Sequence, residues 1–114
     1  MEDEIRVRHI LQKHSGSRNP HDSYRNKPIT RSKDEAIQNI KDIKAKIESG
    51  DKTFEELASE VSECGSAKNA GDLGHFGKGQ MQAQFEEAAF ALAVGEISDI
   101  VDSDSGIHII LRLE

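Results

Sequence analysis

Two capping sequences constrain this chain more than anything else in it. Ser32-Lys-Asp-Glu35 and Thr53-Phe-Glu-Glu56 both read Ser/Thr-x-x-Glu, the pattern in which a hydroxyl and a carboxylate reciprocally satisfy the unpartnered amides of a helix start. Behind the first, Ile37, Ile40, Ile43 and Ile47 recur at helical spacing and Gly50 supplies a stop. Behind the second, Phe54, Leu57, Ala58 and Val61 form a shorter apolar stripe that ends before Cys64. The spacing predicts a helical hairpin that delivers the chain to its single cysteine. One cysteine cannot close an internal disulfide, which fits a reducing compartment, and 114 residues suffice for one domain with its own core.

Apolar segments at both ends supply strands for that hairpin to cover. Ile5 to Gln12 places Val7, His9 and Leu11 on one side and Arg6, Arg8 and Ile10 on the other, as a strand with one buried face would. His9 then points inward. Ile107, Ile109, Leu111 and Leu113 share one face of a final strand, leaving His108 and Ile110 on the other. Between the ends, the sequence predicts a short strand around Leu73 to Phe76 and a third helix from Gln82 to Leu92 stopped by Gly95. A strand over Ile97 to Asp102 and a turn over Asp102 to Gly106 follow. The order β, α, α, β, α, β, β makes an α+β domain with the first and last strands central in a mostly antiparallel sheet.

Two stretches are organised for something other than a core. Cys64 to Phe85 carries five of the nine glycines, at 65, 71, 74, 77 and 79, as backbone held in turns or pressed against a ligand would. These glycines spell neither G-x-G-x-x-G nor a P-loop, and one cysteine with five scattered histidines offers no regular ligand spacing, so neither a nucleotide nor a metal is expected. From His14 to Arg31 there is no apolar periodicity, and both prolines, Pro20 and Pro28, lie there. Loops longer than about 12 to 15 residues are usually functional or disordered. The net charge is −6, yet Arg6 to Lys33 holds eight Lys or Arg against a single acid, Asp22. That asymmetry argues against general nucleic-acid binding and for one basic patch aimed at an anionic partner. Lys13 and Arg18 stand where they could hold a phosphate or carboxylate. No apolar run approaches the ~20 residues of a membrane span, and the acidic start Met1 to Glu4 is unlike a secretory leader. Cys64 with His9 or His108 could be a nucleophile and its base, or a buried inert thiol, and composition and spacing do not choose.

Several separated segments match one pattern. Val7-Arg8-His9-Ile10-Leu11, Phe54-Glu-Glu-Leu57-Ala58, Cys64 with Ser66-Ala67-Lys68, Gly71-Asp72-Leu73-Gly74, Gly79-Gln80-Met81-Gln82, Phe85-Glu86 and Asp104-Ser105-Gly106-Ile107-His108-Ile109-Ile110, taken in order across nearly the whole chain, resemble a parvulin peptidyl-prolyl cis/trans isomerase. Lys13, Ser17-Arg18 and Ile29-Thr30-Arg31 resemble the subgroup directed at phosphoserine-proline and phosphothreonine-proline. Asn19 replaces the second of two adjacent arginines often found there, and Tyr24 stands where a tryptophan is common.

The resemblance implies one domain over residues 1–114, with an about four-stranded, mostly antiparallel sheet flanked by about four helices, and residues 13–31 as a phosphate-binding loop. It implies a proline pocket of Leu73, Met81 and Phe85, with Phe76 nearby. His9, Cys64, His108, Ser103 and Ser105 map to the polar side of the site, the two histidines setting the electrostatics around Cys64. Gln82 would bind the substrate backbone, and Lys13 and Arg18 the phosphate. No cofactor is implied. The expectation is a monomeric isomerase of the cytosol or nucleus, acting on phosphorylated Ser/Thr-Pro proteins and not on nucleic acid or membranes. Some relatives carry an amino-terminal WW module; this sequence starts almost at the first strand, so targeting is expected from this domain alone. A module that binds proline-containing or acidic segments without speeding rotation is the alternative.

Overall fold

A computed structural model describes residues 4–22 and 25–114. Met1 to Asp3 and Tyr24 lie outside the described residues. Four strands form the main sheet in the order β4-β1-β6-β5, every neighbouring pair antiparallel. These are β1 (Glu4–Gln12), β4 (Asp72–Gly77), β5 (Val101–Ser103) and β6 (Gly106–Arg112). The first and last strands are therefore central, as the sequence predicts. Two-residue strands β2 (His21–Asp22) and β3 (Lys27–Pro28) pair separately, so the segment 14–31, read as loop throughout, contains a small hairpin.

Helices α1 (Lys33–Glu48) and α2 (Phe54–Val61) each begin with a complete capping box, on Ser32 with Glu35 and on Thr53 with Glu56. Each reciprocal cap contributes about 1 kcal/mol. Gly50, at φ +81°, follows the end of α1 as the stop its sequence position predicts. The hairpin packs Ile40, Ile43, Phe54, Leu57 and Ala58 against Ile10, Ile107 and Ile109. Helix α3 (Ala83–Phe90) covers the opposite face, where Phe85, Ala89 and Leu92 meet Ile5, Val7, Phe76, Val101 and Ile110. With a 3-10 turn over Gly65–Asn69, the described residues form three α-helices and one tighter helical segment around the sheet.

Three local readings change. Ile10, placed by alternation on the same side as Arg6 and Arg8, is fully buried under α1 and α2. A central strand covered by helices on both faces has two buried faces. The strand expected over Ile97–Asp102 is shorter: Ile97 makes an isolated bridge to Leu111, and the strand proper is Val101–Ser103. Between them the Ser98 hydroxyl, not a backbone carbonyl, accepts from the Ile110 amide at 2.9 Å. The turn expected over Asp102–Gly106 narrows to Asp104-Ser105, because Asp102 and Ser103 already pair with Ile107 and Gly106.

Candidate active site

The β1–β6 register brings together two histidines 99 residues apart. His9 lies opposite Ile110 and His108 opposite Leu11, so the imidazoles are diagonal neighbours on the α3 face, both about 4% exposed. Their Nδ1 atoms are 3.1 Å apart and their rings stack at 5.2 Å between centroids. Phe85, in the first turn of α3, sits edge-on to both, at 5.5 and 5.2 Å. The polar ends are occupied as well. His108 Nε2 lies 2.7 Å from Ser103 Oγ, and His9 Nε2 lies 3.2 Å from Ser66 Oγ.

Burial, helped by the charge of His9, pushes His108 well below the ordinary histidine value, so it stays neutral. The direction of the chain follows. With His108 accepting at Nδ1 from His9 Nδ1, its own proton resides on Nε2 and is donated to Ser103 Oγ. Ser103 Oγ also accepts from the Ser105 amide at 3.2 Å. Partly exposed Cys64 lies at the His9 end. Burial alone would push its thiol up, but hydrogen bonding to His9, the charge of His9 and hydrogen bonds with Ser66 outweigh it. Together they bring the thiol from 9.0 down to about 6. The Cys64 thiol is thus held far below the ordinary cysteine value, toward the thiolate.

Two adjoining cavities open from this group. The first, about 330 Å³, is lined by Leu73, Met81 and Phe85 on its apolar side and by His9, Cys64, Gln82, Ser105 and His108 on its polar side. Gln82 Nε2 donates to Ser105 Oγ at 3.2 Å across its rim. The second, about 210 Å³, is lined by Lys13, Arg18, Asn19, Leu11 and Gly65, and shares Arg18, Cys64 and Ser105 with the first. Its position is fixed by the loop's attachment to the β5–β6 turn, where the Arg18 amide donates to Asp104 O at 2.7 Å. Gly106, at φ +142°, lets that turn close against Gln12 and Lys13, where a Cβ would stand 2.8 Å from the Gln12 carbonyl oxygen.

Most of the residues singled out from the sequence thus meet at these cavities, with two exceptions. Phe76 is buried behind Phe85, ring centroids 6.2 Å apart, and does not line the first cavity. Ser103 is buried beneath His108 and reaches the cavities only through it and Ser105. Of the two cations, Arg18 is exposed while Lys13 is buried, with its ammonium donating to the His21 carbonyl.

The basic patch is smaller than the sequence suggests, because Arg6, Arg25, Arg31 and Lys33 pair with Asp72, Asp22, Glu63 and Asp102. Sequence reasoning assigned no role to Ser66, Arg31 or Glu63. Ser66 and Arg31 both lie inside matched segments, and Arg31 also belongs to the basic stretch; Glu63 carried no signal. Among the described residues no group of three or more His, Cys, Asp or Glu is placed to hold a metal ion, and no helix is long and apolar enough to cross a membrane.

Comparison with known proteins bears on what these cavities do. A family model described as "Rotamase: PPIC-type PPIASE domain" matches residues 9–114. The peptidyl-prolyl cis-trans isomerase Pin1 of Arabidopsis thaliana is 51% identical over 113 residues, covering 96% of this chain and 95% of that protein. The peptidyl-prolyl cis-trans isomerase ESS1 of Saccharomyces cerevisiae is 50% identical over 111 residues, covering 96% of this chain and 65% of its own length. The solved structure of peptidyl-prolyl isomerase ESS1 from Candida albicans superposes with a TM-score of 0.95 at 46% identity, over 98% of this chain and 63% of that one. The chain thus spans about two thirds of the fungal relatives and nearly all of the plant one.

Proposed function

The chain belongs to the PPIC-type, or parvulin, peptidyl-prolyl cis/trans isomerases, and we propose that it acts on bonds preceded by phosphoserine, phosphothreonine or another acidic residue. The observation that carries this reading is the shared wall of the two cavities. A cavity of about 330 Å³ with an apolar side of Leu73, Met81 and Phe85 adjoins one lined by Lys13, Arg18 and Asn19, with Arg18, Cys64 and Ser105 common to both. One residue's separation between anion and ring is what that adjacency suits.

Rotation about an X–Pro bond faces a barrier of roughly 20 kcal/mol because amide resonance is lost on the way. No covalent bond need break, so stabilisation of the twisted imide suffices. Leu73, Met81 and Phe85 would hold the ring in surroundings that disfavour the polar planar form relative to the less polar twisted one. The Cys64 thiolate would act in the same direction. A fixed negative charge facing the carbonyl oxygen opposes the resonance form that places negative charge there. The His9–His108–Ser103 chain keeps that charge in place, and Gln82 would hold the substrate backbone at the rim. Arg18 would meet the phosphate first, as the exposed cation, with Lys13 behind it, each charged hydrogen bond contributing about 1.5 to 3 kcal/mol. The natural partners would be phosphorylated Ser/Thr-Pro proteins of the cytosol or nucleus, a compartment that suits a reactive free thiol.

NMR exchange spectroscopy on phosphoserine-proline and alanine-proline peptides tests the reading, since it reports rotation rate and binding separately. Acceleration should be at least about tenfold greater for the phosphopeptide, the equivalent of one charged hydrogen bond. Equal acceleration would remove the phosphate preference and leave a general isomerase. Binding without acceleration would instead identify a proline-motif module on the same fold.

A further inference from the structure

Past the end of β4, the amides along the open edge of β1 find their acceptors outside the sheet. His9 donates to the Gly71 carbonyl at 3.0 Å, Leu11 to Ser62 Oγ at 3.0 Å, and Lys13 to Glu63 Oε1 at 2.7 Å. The exit of α2 thus replaces a strand with two side chains, and the second of them is charged. Glu63, 5% exposed, also receives Arg31, and the same guanidinium nitrogen donates to the Lys13 carbonyl at 2.9 Å. One half-buried ion pair therefore holds the N–H and the C=O of a single residue. The Glu63 amide in turn donates to Leu11 O at 2.8 Å, and the next residue is Cys64.

A neutral acceptor would satisfy the Lys13 amide, so hydrogen-bond completion alone does not call for a carboxylate here. Burying an ion pair costs desolvation that its mutual attraction only partly offsets, and such pairs fix geometry more dependably than they add stability. What this pair fixes is the position of Lys13 relative to Cys64, both of which line the second cavity. Neither Glu63 nor Arg31 lines either cavity of the site. Both line a separate polar hollow on the other side of the chain, with Gln12, Asp22, Arg25 and Asn39. Any effect they have on the placement of Lys13 therefore passes through the backbone they hold.

We propose that Glu63 and Arg31 are positioning residues for anion recognition, setting Lys13 at the depth where its ammonium supports the charge met by Arg18. The proposal rests on the phosphate reading above, and a four-protein cycle separates the two. Wild type, Glu63→Gln, Lys13→Ala and the double variant are compared by kcat/KM on a phosphoserine-proline and an alanine-proline peptide, with thermal melts alongside.

Glu63→Gln should lower the phosphopeptide-to-alanine-peptide ratio by about fivefold or more, chiefly through KM, and should lower it little further once Lys13 is alanine. A general loosening of the fold would reduce turnover of both peptides alike. Proportional losses on the two peptides, or an undiminished effect of Glu63→Gln in the Lys13→Ala background, would overturn the positioning role while leaving the phosphate reading standing. A Lys13→Ala protein with the wild-type ratio would overturn Lys13's part in that reading, and the positioning role with it. Should Glu63→Gln fail to fold, Arg31→Lys serves in its place. It keeps the positive charge opposite Glu63 but not the planar fork that also reaches the Lys13 carbonyl, and the same ratio decides.

Discussion

At Cys64 two opposing influences meet, and the outcome decides the chemistry of the site. Burial favours the neutral thiol, while His9 and Ser66 favour the thiolate strongly enough to bring it to about 6. The balance belongs to the histidine more than to the serine, because His9 supplies both a hydrogen bond and a charge. Alkylation by iodoacetamide follows the thiolate, so the rate at Cys64 should rise with pH to a plateau with a midpoint near 6. His9→Asn keeps a hydrogen-bonding group and removes the charge, and the midpoint should then move up by about one pH unit or more. Ser66→Ala should move it less. An unchanged midpoint in His9→Asn would assign the low value to some other source. His108, neutral and closed off by Ser103, orients the His9 ring beside it and is not itself the base that ionises the thiol.

Between elements, a close backbone approach falls at Gly71, where the segment entering β4 crosses β1. Its φ is +84°, and a Cβ there would lie 2.4 Å from the His9 carbonyl oxygen and 3.0 Å from the Ala58 side chain in α2. Gly74, at φ +75°, shares the left-handed backbone but faces open space. Gly74→Ala should therefore cost only the backbone term, about 1 to 2 kcal/mol, whereas Gly71→Ala should cost clearly more and also displace His9, lowering turnover. Urea unfolding of the two variants checks the difference, and equal losses would show that β1 and α2 yield to the added methyl. Such crossings were not legible in the sequence, for a definite reason. The capping boxes and the isoleucine stripe of α1 are local patterns, and they located α1 and α2 correctly. The His9–His108 contact depends on the register of two strands at opposite ends of the chain, and Arg31 meets its acid 32 positions away at Glu63, so counting charges along the loop overstated the patch. The two-residue strands β2 and β3 and the 3-10 turn after Cys64 are too short to carry a period. The resemblance places Phe76 near the pocket, and strand geometry buries it behind Phe85, with the two ring centroids 6.2 Å apart.

For the molecule as a whole, every large shift described here makes acid unfavourable, but in separate pH windows. Cys64 has its folded-state value lowered from 9.0 to about 6, so the stability its thiolate contributes is complete above about 9 and is lost as pH falls through about 6. His108 is held below 6.5 by burial. An unfolded chain takes up that proton near 6.5 and the folded one does not, which removes further stability below 6.5. The carboxylates act last. Asp72 is held low by Arg6, Glu114 by His75 and Arg6, and Glu35 and Glu56 by the amides and hydroxyls of their capping boxes. Their contributions are present above the ordinary carboxylate values of 3.8 to 4.5 and vanish as pH falls below them. The melting temperature should thus decline gradually from about pH 9 to 5 and more steeply below about 4.5. Cys64→Ser removes the first window only, so its decline should begin near 6.5 instead, with the acid limb unmoved. Asp72→Asn should do the reverse, weakening the acid limb and leaving the onset where it is. If wild type and Cys64→Ser melt in parallel across pH 9 to 6.5, the thiolate contributes nothing to holding β1 against the turn after α2. The short segment from Glu63 to Ser66 would then be held by hydrogen bonds alone.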